Sequence, residues 1–275
     1  MQAQQIASQM AASADFIRAI GLQGPDGQVD RRRLKKLDEV AGFLEQILKV
    51  VRTTFRDRER IVFLECSCGK SYLGFALDYL LSADPARQDV FMGVDSNPAL
   101  IERCRSIAGQ LGLENMSFEA CRSLDFQTET EVDFVIALHA CDTATDEAIA
   151  KGIKLKSRQI MVVPCCQNQL RSQLKTGHPL TAVTDFGPLR YRLSNLVTDA
   201  LRALFLKGAG YTVELQEIAS PRVTPKNLMI SARRLKRKTA PRFGDYLEVS
   251  RLFGVKHRLG DYCPELLAAA AAAGA

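Results

Sequence analysis

The chain has 275 residues, 47% of them hydrophobic, which is enough for one large domain with appendages. It has no run of 18 apolar residues and no basic-then-apolar amino terminus, so we expect no membrane span, no secretion signal and a cytoplasmic location. The eight cysteines are then expected to be reduced thiols, and the net charge of +6 is concentrated in two clusters.

The first 58 residues are predicted to form a helical extension. Residues 1–26 are polar and small, which favours either a loosely packed helix or a mobile arm. An amphipathic helix is predicted from Asp30, because apolar residues recur at helical spacing. These residues are Leu34, Leu37, Val40, Leu44, Ile47, Leu48 and Val51. The helix is expected either to pack on the edge of a sheet or to cover a ligand crevice.

Residues 59–235 alternate between strand and helix patterns, which predicts an α/β domain with a mostly parallel sheet and right-handed crossovers. The predicted strands are 60–65, 90–94, 116–119, 132–138, 159–163, 211–218 and 227–233. The predicted helices are 71–82, 98–111, 144–153 and 190–208. No helix-length pattern separates the last two strands, so they are expected to form an antiparallel edge hairpin. Residues 236–275 are predicted as a basic extension with a small helix over 243–259 and a frayed alanine run over 268–275.

Two acidic residues end neighbouring predicted strands. Glu65 closes the first strand before the small-residue turn Cys66-Ser67-Cys68-Gly69-Lys70-Ser71, and Asp95 closes the second. Carboxyl ends of parallel strands meet at the crevice where ligands bind, and a terminal acid there can hold ribose hydroxyls. The spacing of a phosphate-binding loop is absent, because Gly69-Lys70-Ser71 lacks the earlier glycine.

This pattern resembles motif I of class I S-adenosylmethionine (AdoMet) methyltransferases, acid-x-Gly-x-Gly-x-Gly, with Ser67 and Ser71 at two of the glycine places. The resemblance implies a Rossmann-like, seven-stranded methyltransferase sheet and AdoMet as cofactor. Glu65 would then lie near the methionine amino group, and the backbone amides of Cys66, Ser67 and Gly69 would approach the ligand. The other residues expected at the cofactor are Asp95 at the ribose with Ser96 and Asn97 beside it, Ser123 and Leu124 (or Asp125) at the adenine, and Leu138.

Four further signatures narrow the resemblance to one methyltransferase family. They are Cys68-Gly69-Lys70-Ser71-Tyr72-Leu73, Leu138-His139-Ala140-Cys141-Asp142, Val163-Pro164-Cys165-Cys166-Gln167 and Thr224-Pro225-Lys226-Asn227-Leu228. The family includes bacterial proteins of unassigned substrate and the glutathione S-transferase C-terminal-domain-containing proteins. It is also similar to eukaryotic tRNA 2′-O-methyltransferases that act on the acceptor stem.

Methyl transfer is expected at the ends of the fourth and fifth strands, with catalytic candidates His139, Cys141, Asp142 and Cys165. His139 is either a proton acceptor for a hydroxyl or amine nucleophile or a structural histidine that bonds a loop carbonyl. Asp142 and Asp146, one helical turn apart, are candidates to cap the next helix, and Asp142 is the better functional candidate of the two.

Three interpretations of Cys141, Cys165 and Cys166 remain open, since these residues end adjacent strands and are expected to face each other. The thiols are small packing groups, or one of them is a nucleophile that adds to C6 of a pyrimidine, or they bind a metal together with His139. The metal interpretation ranks last because no Cys-x-x-Cys spacing supports it, and we predict no metal.

Two basic clusters lie near the ends of the α/β region. The first basic cluster is Arg31, Arg32, Arg33, Lys35 and Lys36, and the second basic cluster is Arg233, Arg234, Lys236, Arg237 and Lys238. Such clusters bind phosphate backbones by releasing counterions, or they are solvated faces that aid solubility. Together with the resemblance they favour RNA as the partner and acceptor. The alternatives are a protein or small-molecule methyltransferase and a non-catalytic nucleic-acid-binding module. The oligomeric state stays open.

Overall fold

The computed structural model describes residues 1–23, 31–138, 140–218, 227–236 and 242–272. Within them a single seven-stranded sheet has the order β3-β2-β1-β4-β5-β7-β6. The strands are β1 Val62–Cys66, β2 Val90–Asp95, β3 Met116–Ala120, β4 Phe134–Leu138, β5 Gln159–Val163, β6 Tyr211–Glu217 and β7 Leu228–Arg234. The first five strands pair in parallel, and β7 pairs antiparallel with both β5 and β6. The predicted mostly parallel sheet with an antiparallel edge hairpin is therefore confirmed.

Helices cover both faces of the sheet. They are α1 Ala3–Ala12, α2 Ala14–Ala19, α3 Arg31–Thr54, α4 Tyr72–Leu81, α5 Pro98–Leu111, α6 Thr143–Lys154, α7 Thr181–Thr184, α8 Gly187–Gly208, α9 Gly244–Leu252, α10 Arg258–Tyr262 and α11 Pro264–Ala272. No helix among the described residues is both long enough and apolar enough to cross a membrane.

The core has two layers because side chains of β1 alternate between the faces of the sheet. Phe63 points to the α1–α5 side, where its ring stacks on Phe91 and Phe134 at centroid distances of 5.0 and 5.3 Å. Val62 and Leu64 point to the opposite side, which α6 and the C-terminal helices cover. Burying each such side chain contributes about 1.5–3 kcal/mol to the stability of the fold. The two core layers therefore stabilise the sheet that carries the candidate site.

The amino terminus is packed, which corrects the expectation of a loose helix or mobile arm. Ile6, Met10 and Ile17 are buried in the core, and the Phe16 ring stacks on Tyr79 at 4.5 Å. These apolar residues are spaced too widely among polar ones to stand out in the sequence. Their burial nevertheless fixes α1 and α2 against α3 and α4.

The C-terminal region also differs from its prediction. Instead of one helix over 243–259 it contains α9 and α10, because the chain turns at Gly254, which has a φ of +59°. The alanine run, expected to fray, continues as α11 to Ala272, and Ala270 is buried. Phe243, Tyr246 and Leu259 join the core layer that α6 and α8 also build.

Candidate active site

The candidate site lies at the carboxyl ends of β1, β2, β4 and β5. The sheet order reverses between β1 and β4, because the chain proceeds outward to β2 and β3 on one side and returns to β4 on the other. Open α/β sheets bind ligands in the crevice at such a switch point. The turn after β1 is tied to the end of β2 by a hydrogen bond from the Cys68 N–H to the Val94 carbonyl at 2.9 Å.

The turn between β1 and α4 has a left-handed backbone at all three glycine places of the motif. Ser67, Gly69 and Ser71 have φ values of +52°, +57° and +49°. A left-handed conformation costs an L-residue about 1–2 kcal/mol, so the two serines carry strain that glycine would not. A hydrogen bond from the Ser71 N–H to the Cys68 carbonyl at 2.7 Å holds the turn in this shape. Ser67 and Ser71 therefore adopt the left-handed backbone conformation that glycine would adopt without strain.

Glu65 is buried at the end of β1, and its carboxyl is turned toward the start of α4. One oxygen, Oε2, accepts hydrogen bonds from the Ser71 hydroxyl at 2.5 Å and from the Gly74 N–H at 3.2 Å. Burial raises the pKa of Glu65 from 4.5 to about 7, although these two donors and Lys36 oppose the shift. The group therefore exchanges its proton near neutral pH.

Gly74 was missed by the sequence reasoning, although it shapes the surroundings of Glu65. A Cβ atom at this position would lie 2.6 Å from the Ser71 hydroxyl and 2.7 Å from Glu65 Oε2. Cβ atoms essentially never lie this close to other atoms, so a larger residue at this position would have to displace the Ser71 hydroxyl and the Glu65 carboxyl. An isolated glycine in a helix pattern is the one sequence signal that points to such a close approach.

Asp95 is half-buried at the end of β2, and two backbone amides orient it. Its Oδ2 accepts from the Gly69 N–H at 2.9 Å, and its Oδ1 accepts from the Asn97 N–H at 2.9 Å. A carboxylate has about four acceptor positions, so each oxygen can accept a further hydroxyl. The expected ribose-binding acid is thus held rigidly at the mouth of the crevice.

Ser96 and Asn97, which follow Asp95, are exposed, and Asn97 caps helix α5. The Asn97 side-chain oxygen accepts from the Ala99 and Leu100 N–H groups at 3.0 and 3.4 Å and so caps α5. Ser96 lies beside it on the surface. Asn97 therefore fixes the start of α5, next to the acid that the sequence analysis assigned to the ribose.

The expected adenine side lies after β3 and against β1. Ser123 is buried and hydrogen-bonded to the thiol of Cys66, whose pKa burial raises to about 12. Leu124 and Leu138 are half-buried, and each packs against a different core layer. Cys66 is consequently a neutral, inert thiol that presents its backbone to the crevice.

The ends of β4 and β5 bring the predicted cysteines together, whereas His139 lies outside the described residues. The sulfur atoms of Cys141 and Cys165 are 3.0 Å apart, and none of the eight cysteines, each in a described part of the chain, forms a disulfide. Burial is the main cause that raises the pKa of both thiols. Since a nucleophilic cysteine needs a lowered pKa, the pyrimidine-addition interpretation loses support.

Asp142 holds together the loops that follow β4 and β5. It occupies the N-cap position of α6, but its side chain makes no capping hydrogen bond; its Oδ1 instead accepts from the Gln169 N–H at 2.9 Å. Its own N–H donates to the Cys166 carbonyl at 3.2 Å. Its φ of +52° is unusual for an aspartate and belongs to the class of strained residues that cluster at functional sites.

Asp146 forms a buried ion pair and does not cap α6. Arg202, completely buried in α8, donates from Nε to Asp146 Oδ1 at 2.7 Å and from Nη1 to Asp199 Oδ1 at 3.0 Å. Burial opposes ionisation, but Arg202 and His257 together hold the pKa of Asp146 below its ordinary value. The partners lie 56 residues apart in the chain, so no local spacing indicated the pair, and the capping expectation for Asp146 was wrong.

The two basic clusters lie at opposite ends of α3. Arg33, Lys35 and Lys36 line a cleft of about 530 Å³ together with Lys70, and Lys36 interacts electrostatically with Glu65 and Cys165. The Arg31 and Arg32 side chains, and Arg237 and Lys238, lie outside the described residues.

The second basic cluster lies at the amino ends of the parallel strands, opposite the candidate site. Arg233 shows this, because it pairs with Gln159, the first residue of β5. Arg233, Arg234 and Lys236 share a cleft there with Thr53 and Thr54 at the end of α3.

The chain is similar to known proteins through a family model and through distant solved structures. No curated protein matches the chain. The solved structure of magnesium protoporphyrin IX methyltransferase from Synechocystis PCC 6803 is 14% identical, covers 85% of this chain and 99% of its own, and has a TM-score of 0.47. An rRNA methylase from Streptococcus thermophilus is 10% identical, with coverages of 65% and 89% and a TM-score of 0.43. A family model described as a methyltransferase domain matches residues 35–173, half of the chain, and the chain therefore belongs to this methyltransferase family.

Proposed function

We propose that the chain transfers the methyl group of AdoMet to RNA, at a ribose 2′-hydroxyl or a base. The observation that carries the proposal is the position of the first basic cluster. Lys36, in the first turns of α3, is near enough to Glu65 and Cys165 to interact with both electrostatically. A phosphate backbone bound by this cluster would therefore lie beside the strand ends where the donor is expected.

The residues at the ends of β1 and β2 fit AdoMet. Asp95 has free acceptor capacity for two ribose hydroxyls, and a charged acceptor makes such bonds strong. The turn at Ser67 and Gly69 is left-handed and built from small residues, which would let the backbone approach the ligand. An ammonium group near Glu65 favours its ionised form, so donor binding is expected to release a proton below about pH 7.

AdoMet supplies a sulfonium methyl group for an in-line transfer, and the chain's own residues orient the reactants. Asp95 and Glu65 would fix the donor from two sides. The loops after β4 and β5, which Asp142 joins by hydrogen bonds, would line the side of the crevice that the acceptor meets. His139 is retained as the proposed proton acceptor because it directly follows Leu138, the last residue of β4, in the sequence.

The resemblance of two motifs to an RNA-modifying family favours an RNA substrate. The Leu138-His139-Ala140-Cys141-Asp142 and Val163-Pro164-Cys165-Cys166-Gln167 signatures are similar to those of tRNA acceptor-stem 2′-O-methyltransferases. We therefore propose a tRNA-like acceptor first. A protein or small-molecule acceptor is the alternative that the experiments below distinguish.

The donor site is tested by calorimetric titration with AdoMet and S-adenosylhomocysteine. Asp95→Ala is expected to abolish binding of both, because it removes the acceptor for the ribose hydroxyls. Asp57→Ala, an exposed acid near the end of α3, serves as the matched control and should bind like the wild type. Undiminished binding by Asp95→Ala would contradict the assignment of this residue.

The acceptor is tested with AdoMet carrying a labelled methyl group. The protein is incubated separately with total RNA, a protein extract and a small-molecule extract from the same cells. Label incorporated into RNA, and lost in Asp95→Ala, is the expected result. Label found only in protein or in small molecules would refute the RNA proposal while leaving the methyltransferase assignment intact.

A further inference from the structure

Three thiols form a compact group at the ends of β4 and β5. Cys141 follows β4, and Cys165 and Cys166 follow β5. The distance between the sulfurs of Cys165 and Cys166 is 3.7 Å, and that between Cys166 and Cys141 is 3.8 Å; the third pair is 3.0 Å apart. The three sulfurs lie within hydrogen-bonding distance of one another, none of the three cysteines is in a disulfide, and Cys141 is exposed, so solvent can reach the group.

These distances correspond to the face of a metal-binding tetrahedron. A zinc–sulfur bond of about 2.3 Å places the sulfurs of a tetrahedral site about 3.8 Å apart. Two of the three edges already have this length. The third, between Cys141 and Cys165, has to lengthen by about 0.8 Å, and Cys141, being exposed, is the side chain with room to move.

The backbone holds the three thiols in place before any ion arrives. The Asp142 N–H donates to the Cys166 carbonyl at 3.2 Å, and Asp142 Oδ1 accepts from the Gln169 N–H at 2.9 Å. These bonds join the loop that carries Cys141 to the loop that carries Cys165 and Cys166. Because the two loops are already joined, little conformational entropy is lost when the thiols bind a cation. Three soft sulfur ligands select Zn²⁺ over hard cations such as Mg²⁺ or Ca²⁺.

We propose that Cys141, Cys165 and Cys166 bind one Zn²⁺ ion through three thiolates. Each S–H bond gives its proton to solvent as a sulfur–zinc bond forms, and no electron is transferred. The fourth coordination position faces solvent on the exposed side of Cys141 and holds a water molecule. The proposal uses no property of the donor or of RNA, so it stands or falls independently of the proposed function.

The test uses the full-length protein, reduced and stripped of metal, and titrated with Zn²⁺ against a chromophoric chelator. We expect one tightly bound equivalent, released by acid. Substitution with Co²⁺ is expected to give a thiolate-to-metal charge-transfer band and the strong visible bands of a tetrahedral site. Each of Cys141→Ser, Cys165→Ser and Cys166→Ser should lose the equivalent. Cys121→Ser, a half-buried cysteine outside the group, is the matched control and should keep it.

Misfolded variants would lose metal for a trivial reason, so a second measurement uses the wild type alone. Cadmium NMR of the ¹¹³Cd²⁺-loaded protein reports the number of sulfur ligands by its chemical shift, and three are expected. The proposal is overturned if the reduced wild type takes up no Zn²⁺ in competition with the chelator. It is equally overturned if the bound ion shows no sulfur ligand or survives all three substitutions.

Discussion

The pKa of Glu65 is raised by its surroundings, so its carboxyl keeps its proton up to about pH 7. Its carboxyl is buried against the first turn of α4, and its pKa is raised from 4.5 to about 7, chiefly by burial. For an acid with a raised folded-state pKa, the contribution to stability is full below the unfolded value and is lost as the pH rises through the folded value. The relevant window for Glu65 therefore runs from pH 4.5 to about pH 7.

Glu65→Gln is expected to flatten the pH dependence of stability in that window. The amide cannot ionise, so the variant escapes a loss on the order of 3 kcal/mol that the wild type incurs on ionisation. The free energy of unfolding, measured with urea at intervals from pH 5 to pH 8, checks this. Glu114→Gln, at an exposed position, should run parallel to the wild type. Parallel curves for Glu65→Gln as well would show that the carboxyl ionises normally.

At the scale of an element, the turn between β1 and α4 depends on a close approach that only glycine allows. The Cβ atom of Gly74→Ala would meet the Ser71 hydroxyl and Glu65 Oε2 at 2.6 and 2.7 Å. We expect a destabilisation of about 1–3 kcal/mol, although alanine is the better helix former.

Gly109→Ala is the matched control for this variant. Gly109 also lies within a helix, α5, and nothing stands within 4 Å of an added Cβ there. Its replacement should stabilise the protein by up to about 1 kcal/mol. The two unfolding curves should therefore shift in opposite directions, and a shift of Gly74→Ala in the stabilising direction would refute the close-approach argument.

The ion pair between α6 and α8 is the second feature at this scale. Arg202 is completely buried and bonds Asp146, Asp199 and the Asp142 carbonyl. Arg202→Met removes the counter-charge from buried Asp146 and is expected to cost about 3–5 kcal/mol. Arg258→Met, which breaks an exposed pair with Asp261, should cost about 1 kcal/mol or less. Equal midpoints in thermal unfolding would contradict the importance of burial.

Local patterns predicted the strands and most of the helices well, because hydrophobic periodicity records which faces are buried. The predicted helix over 98–111 coincides with α5, where Asn97 caps the start and Gly112 ends the helix in a left-handed conformation. The same reasoning failed for Asp146, whose partner Arg202 is distant in the sequence, and for α11, where packing of Ala270 keeps an alanine run helical. Tertiary contacts of this kind have no signature within a short window.

At the scale of the whole molecule, the two basic clusters place positive charge at opposite ends of the parallel strands. This separation is not visible in the sequence. It follows from the pairing of Arg233 with Gln159, which places the second basic cluster at the strand ends opposite the site. Lys36 of the first basic cluster, by contrast, interacts electrostatically with Glu65 and Cys165. The two clusters are therefore expected to contribute differently to catalysis, even where they contribute alike to binding.

Lys35→Glu is expected to weaken tRNA binding and to flatten its dependence on salt. Removing one phosphate contact lowers the slope of log affinity against log salt by about 1. Fluorescence anisotropy of labelled tRNA over a series of potassium chloride concentrations measures that slope. Lys207→Glu, an equal charge change at an exposed position at the end of α8, should leave it unchanged. Identical slopes for the two variants would show that the first basic cluster does not touch the backbone.

The length of α3 sets a minimum size for any ligand that uses both basic clusters. The helix has 24 residues, which corresponds to about 36 Å between its ends. A single nucleotide cannot bridge that distance, whereas an RNA duplex can once it is longer than one helical turn. The length of α3 thus determines which RNA stems can contact both basic clusters. The affinity of the protein for RNA should rise abruptly once a stem is long enough to reach from one cluster to the other.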